Sequence, residues 1–145
     1  MSSLFLGRGE TVKREQQWVH YHGGYSRCGN YMYGKLILTN KRFIFVQEKQ
    51  VEHGGLFGFG KKKETQTAGI PINIPIENVV GCQIETRTRK KGTLNQPAGL
   101  FGKEQYQVLV VGLETDYGME SPVFEVRDPQ GWAAAVSRTV GGEKV

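Results

Sequence analysis

The chain has 145 residues, enough to bury one core without disulfide or metal staples and too few to imply a second domain. A formal charge of +5 favours anionic partners such as phospholipid headgroups, nucleic acid or acidic protein surfaces, without choosing among them. Two cysteines exclude a disulfide framework, the start MSSLFLGRGE lacks the apolar run of a secretory signal, and no stretch has the length needed to cross a bilayer. The expectation is a cytoplasmic protein whose membrane contact is peripheral, at the inner face.

At the N-terminus Leu4, Phe5 and Leu6 are expected to cap the core. From Thr11 the segment TVKREQQWVHYH places Trp18, His20 and His22 on one face and Val19 and Tyr21 on the other, which predicts a first strand. Gly23, Gly24, Ser26, Gly29 and Asn30 then make a loop. His20 and His22, with Cys28 nearby, invite a zinc reading. A structural zinc site wants four ligands, and here there are three without a C-x-x-C pair, so neither metal nor other cofactor is expected.

The stretch YMYGKLILTNKRFIFVQEK, Tyr31 to Lys49, reads as a β-hairpin. Leu36, Ile37 and Leu38 lie on one strand, Phe43 to Val46 on the other, and Thr39 to Arg42 form the turn. Both strands are apolar on two faces near the turn, which predicts a place inside a sandwich or barrel.

The run Gly34-Lys35-Leu36-x-Leu38-Thr39-Asn40-x-Arg42-x-Ile44-Phe45 resembles the G-x-L-x-L-T-N-x-R-x-I-F signature of GRAM domains and of bacterial and archaeal PH-like domains. Ile74-Pro75-Ile76-Glu77-Asn78-Val79 is similar to the I-P-L-x-D-I segment that follows in those families. The resemblance implies a mainly β fold: a single PH-like barrel or sandwich over 1–145, with about seven antiparallel strands closed by one C-terminal helix. Members of that fold bind lipids, peptides or ubiquitin, so the resemblance does not select a ligand.

After Lys49 the segment QVEHGGLFGFGKKKETQTAG reads as a long irregular loop. Gly55 to Lys62 approaches a phosphate-binding G-x-x-x-x-G-K-[ST] loop, but Lys62 stands where a hydroxyl should bind magnesium and no helix signal follows. More informative is the placement of Leu56, Phe57 and Phe59 among glycines, followed by Lys61, Lys62 and Lys63. A looser version recurs as Leu100 and Phe101 before Lys103, preceded by Arg87, Arg89, Lys90 and Lys91. At a membrane the rings would enter the acyl boundary and the cations would meet anionic headgroups. The same loops equally fit a protein or self-assembly interface.

Ile70, Ile72, Ile74 and Ile76 alternate with polar or proline residues, which predicts a strand with the isoleucines on the core face. Pro71 and Pro75 mark it as an edge strand ending at a bend near Glu77 and Asn78. Val79 to Thr88 predicts another strand, with Val80, Cys82 and Ile84 facing together. Glu104 to Glu114 predicts an apolar strand partnered by Pro122 to Arg127 across a polar loop. Asp128-Pro129 is a helix start, Asp128 as cap and Pro129 in the first turn. Trp132, Ala135, Val136 and Thr139 form the inward stripe, and Gly141 or Gly142 the stop.

No nucleophile elbow, H-E-x-x-H helix or apolar-framed acid pair is present, so no catalytic residue is assigned and the chain is read as non-enzymatic. Nucleic acid is the weaker partner. Tyr21, Tyr25, Tyr31 and Tyr33 would offer stacking rings, but no RNP-like or basic-helix motif accompanies them. The sequence thus predicts a binding module for anionic phospholipid headgroups, with a protein partner or a second copy as the alternative.

Overall fold

Eight strands and one helix follow from these patterns in a computed structural model, which describes residues 6–29, 31–53, 62–90 and 103–141, with backbone alone for 50–53, 62–65, 89–90 and 103–104. The strands are β1 (Val12–Tyr21), β2 (Met32–Thr39), β3 (Arg42–His53), β4 (Lys62–Pro75), β5 (Val79–Lys90), β6 (Lys103–Thr115), β7 (Gly118–Glu120) and β8 (Val123–Glu125), followed by helix α1 (Pro129–Val140). All pairings are antiparallel, in the order β4-β3-β2-β1-β8-β6-β5, with β7 attached to β6. The mainly β architecture with a single C-terminal helix is as expected and is consistent with a PH-like sandwich. Two details differ. The loop expected over Thr115 to Glu120 contains the short strand β7, and the sheet is not closed, since β4 and β5 each have one strand neighbour among the described residues.

The inner face of the curved sheet carries the main core. Val19, Tyr21, Leu36, Leu38, Phe43, Phe45, Ile72, Leu109, Val111, Leu113 and Phe124 pack there with Trp132, Ala135 and Val136 of α1. Phe124 is the hub, with ring centroids 5.6 Å from Phe43, 5.6 Å from Phe45 and 5.7 Å from Tyr21. The two-faced hairpin is confirmed: Ile37, Ile44 and Val46 form a second buried cluster on the opposite face. Gly34 lets β2 and β3 approach, because a Cβ there would lie 2.0 Å from the Val46 carbonyl oxygen.

Bulges explain where strict alternation fails. The β3–β4 register slips between Phe45 and Gln47. Ile72 and Ile74 therefore reach the main core with Ile76 beside them, while Ile70 joins the opposite cluster instead of the expected one. The β5–β6 register slips between Val79 and Gly81. Val79 is buried and Val80 exposed, so the expected trio of Val80, Cys82 and Ile84 is broken at its first member.

The helix closes the core as predicted. The Asp128 carboxylate accepts from the Gly131 amide at 3.1 Å and Pro129 occupies the first turn. The fully buried Trp132 donates its indole N–H to Gln16 Oε1 at 3.1 Å. Arg14 covers the indole ring at 5.4 Å while pairing with Asp128 at 3.1 Å.

At the β2–β3 turn, the Thr-Asn-x-Arg residues tie down the segment before β1. Arg42 grips Glu10 with Nε to Oε2 and Nη2 to Oε1, both at 2.8 Å. Thr39 donates to the same carboxylate at 2.6 Å and accepts from the Lys41 and Arg42 amides. Asn40 accepts from the Thr11 amide and donates to the Gly9 carbonyl. Two guanidinium bonds and a hydroxyl hold the Glu10 carboxyl down to a pKa of about 2. The residues that carry the sequence signature therefore act as a clamp that builds the fold.

Candidate binding surfaces

The two glycine-phenylalanine segments sit on two long hairpins. Pairing of β2 with β3 runs from Leu38↔Phe43 to Gly34↔Gln47, whereas β3 and β4 continue together to His53↔Lys62. Likewise β8 meets β6 at Leu109 and Val110, while β5 and β6 continue together to Lys90↔Lys103. Both hairpins thus extend as two-stranded ribbons past their third strand. This corrects the loop assignments: Lys62 and Lys63 lie in β4, Arg89 and Lys90 in β5, and Lys103 in β6, while Arg87 lies in β5 within the strand expected over Val79 to Thr88. Runs such as Thr65-Gln66-Thr67 and Thr86-Arg87-Thr88 suit strands, and pairing across a local hairpin holds them there. Lys61, Lys91, Leu56, Phe57, Phe59, Leu100 and Phe101 lie outside the described residues.

Strand directions separate the two ribbons. β3 and β6 each run parallel to β1, being two antiparallel steps away, and β5 runs opposite to it. The β3–β4 ribbon therefore extends toward the end where β1 finishes, and the β5–β6 ribbon toward the end where β1 starts. Three strands lie between them in the sheet order.

Their charge patterns differ as well. In the first ribbon Glu48, Glu52 and Glu64 balance Lys49, Lys62 and Lys63, with Glu52 directly opposite Lys63. In the second, Arg87, Arg89, Lys90 and Lys103 outnumber Glu85 and Glu104. Arg87 pairs with Glu85 at 3.0 Å and Arg89 stands opposite Glu104, which leaves Lys90 opposite Lys103. Like charges at facing register positions disfavour a ribbon.

A second surface, not anticipated as a site, lies on the outer face of β1 and β8. Gln17 and Trp18 form a bulge between the pairs Gln16↔Leu36 and Val19↔Gly34. Trp18 adopts φ 61°, a left-handed conformation costly for a large side chain, yet its side chain is 53% exposed. Its ring stacks on Tyr33 at 6.0 Å between centroids, and His20 stacks on Tyr31 at 5.7 Å. The Tyr31 hydroxyl hydrogen-bonds His20 Nδ1, and His22 Nε2 meets Glu125 Oε1 at 3.0 Å. Trp18, His20 and His22 share a face, as the alternation predicted. The bulge that gives Trp18 its left-handed backbone left no signal in the sequence.

The four tyrosines proposed as a stacking platform are divided. Tyr21 and Tyr25 are buried and bonded to each other through the Tyr21 hydroxyl, while Tyr31 and Tyr33 lie on the outer face. Cys28 packs beside the core with its thiol toward the Pro71 carbonyl, and among the described residues no three His, Cys, Asp or Glu side chains are placed to hold a metal ion. Burial raises the Cys28 and Cys82 thiols above their ordinary pKa, which opposes a nucleophilic role. β4 begins at Lys62, so no helix follows the glycine run that approached a phosphate loop. No helix among the described residues is long and apolar enough to cross a membrane. No family model matches the chain, and no curated protein shows significant similarity to it.

Proposed function

We propose that the protein is a non-catalytic binding module of the PH-like kind that docks peripherally on anionic membrane surfaces through cationic hairpin ends. The facing pair Lys90↔Lys103 carries this reading. Two lysines at paired register positions, with Arg89 and Lys91 next to them and Leu100 and Phe101 near them in sequence, suit phosphate headgroups. Each cation near such a surface contributes about 1 kcal/mol. The balanced β3–β4 ribbon, with Lys61, Lys62, Lys63, Phe57 and Phe59 at or beyond its end, is the weaker contact.

Co-sedimentation with phosphatidylcholine vesicles and with phosphatidylserine-containing vesicles, at low and physiological salt, tests this. Binding should require the anionic lipid, weaken with salt, and fall strongly in Lys90→Glu and Phe101→Ala while Lys62→Glu has a smaller effect. Equal binding to both vesicle types, or an unaffected Lys90→Glu, rules the reading out.

A second reading, assembly through a strand edge, is favoured by β5. This strand has one strand neighbour among the described residues and exposes Val80 beside a cavity of about 200 Å³ bounded by Gly81, Gln83, Val110 and Gly112. An exposed edge of that kind accepts another strand. It predicts an oligomer in solution that Val80→Lys converts to monomer, with vesicle binding per chain unchanged.

A further inference from the structure

We infer that the outer groove between β1 and β8 is a docking site for a short extended peptide segment of a partner protein, one bearing a proline or aromatic side chain next to an acidic one. The β1–β8 ladder pairs His20↔Glu125 and Tyr21↔Phe124 and continues through His22 and Gly23 to Val123, whereas toward the start of β1 it stops and only the Gln16 side chain reaches the Arg127 amide, which leaves a groove at that end. Two adjoining cavities form it. One of about 250 Å³ is bounded by Trp18, His20, Glu125 and Arg127, and one of about 330 Å³ by His20, His22, Tyr31 and Glu125. They share His20 and Glu125, and together they have room for a few residues of extended chain.

Three features choose the occupant. Trp18 is more than half exposed and sits at a strained backbone position where glycine would be cheaper. Tyr33 stacks on its ring and keeps it flat. A flat apolar group, the ring of a proline or an aromatic residue, is its complement. Arg127 is exposed, and among the described residues no carboxylate pairs with its guanidinium, whereas Glu125 is engaged by His22. The open charge at the Trp18 end is therefore positive and asks for an acidic side chain. Glu125, which both cavities share, opposes a polyphosphate strand, which separates this site from a nucleic-acid surface. Exposed Trp, Tyr and Arg in one place is also the composition of energetic centres in protein interfaces. The groove uses other strands than the cationic ribbons, so it stands whether or not they meet a membrane.

The protein has two tryptophans, and Trp132 is fully buried, so the exposed indole reports on the groove directly. The test is selection of a displayed random hexapeptide library on the intact protein with counter-selection on Trp18→Ala. The best Trp-free peptide and a dodecameric thymidine oligonucleotide are then titrated against indole fluorescence and the two indole N–H resonances. The expected result is a peptide with an acidic residue beside a proline or aromatic one, shifting the Trp18 resonance and not that of Trp132. Its affinity should fall at least tenfold in Trp18→Ala and about fivefold in Arg127→Glu. Trp18→Gly, which removes the ring and relieves the backbone, should melt no lower than the parent and still fail to bind. Failure of the library to enrich over Trp18→Ala, enriched peptides without acidic residues, binding retained in Trp18→Gly, or a Trp18 response to the oligonucleotide alone would each overturn the inference.

Discussion

The β2–β3 turn and the neck of the β5–β6 hairpin are both places where charged side chains gather on a tight β-structure, and they are built to opposite rules. At the turn, Arg42 and Glu10 satisfy each other, Thr39 fills the remaining carboxylate position, and Asn40 and Lys41 bond the backbone of residues 8–11. At the neck, Lys90 and Lys103 face each other. Charge that is complemented within the chain specifies the fold. Charge repeated at facing register positions does nothing for the fold, and the proposed anion contact is placed there. The signature residues are structural, and the proposed ligand contacts are the cationic residues elsewhere.

The largest effect that would sharpen this contrast is at the helix that closes the core. Trp132→Ala leaves a cavity beneath Arg14 and removes the donor to Gln16, and should destabilise by about 3 to 5 kcal/mol. Urea denaturation measures it, and a near-neutral result would place the helix outside the folding unit. Next is the clamp itself. Arg42→Ala leaves the buried Glu10 carboxylate without its main partner and should cost about 3 kcal/mol, seen as a lower denaturation midpoint with unchanged slope.

The clamp also predicts an acid response. The Glu10 carboxyl titrates near 2 in the folded protein and about 4.3 in an unfolded chain. Its contribution is therefore complete above the unfolded value and disappears as pH falls from about 5 toward 2. Midpoints measured across that range should fall less in Glu10→Gln than in the parent, although the variant starts from lower stability. Parallel pH profiles would remove the clamp from the account.

The smallest effect is at the neck. Lys90→Glu places opposite charges at a facing pair and should stabilise the ribbon by roughly 0.2 to 1 kcal/mol while abolishing the proposed anion contact. A variant that melts lower and still binds anionic vesicles would break the comparison at its second term.

The local alphabet of this chain was readable without coordinates. Strong apolar runs marked the hairpin at Leu36–Val46, the proline-punctuated isoleucines ended a strand at Pro75, and Asp128-Pro129 began a helix whose Trp132 turns inward. Those features depend on side-chain type and backbone propensity within a few residues, and both are carried by the sequence. Three bulges were not readable. They moved Ile70 off the core, turned Val80 outward and put Trp18 in a left-handed backbone conformation. A bulge is fixed by how two strands with different numbers of residues must match across a sheet, which no single segment records.

The candidate surfaces divide along the same line. The cationic residues and the glycine-phenylalanine pattern stood out by composition, but as loops. Pairing within each sequential hairpin put Lys62, Lys63, Arg87, Arg89, Lys90 and Lys103 at ribbon positions and set Lys90 against Lys103, and the strand order sent the two hairpins toward opposite ends of β1. The groove at Trp18 arose from segments far apart in sequence, β1 with β8, whose ladder ends at His20↔Glu125 toward the start of β1. Residue type and periodicity determined that this chain is a mainly β domain with one closing helix and a surplus of positive charge. Register, bulges and the direction of each strand, which exist only once the sheet has formed, decided which charges face one another and where an aromatic ring is left open.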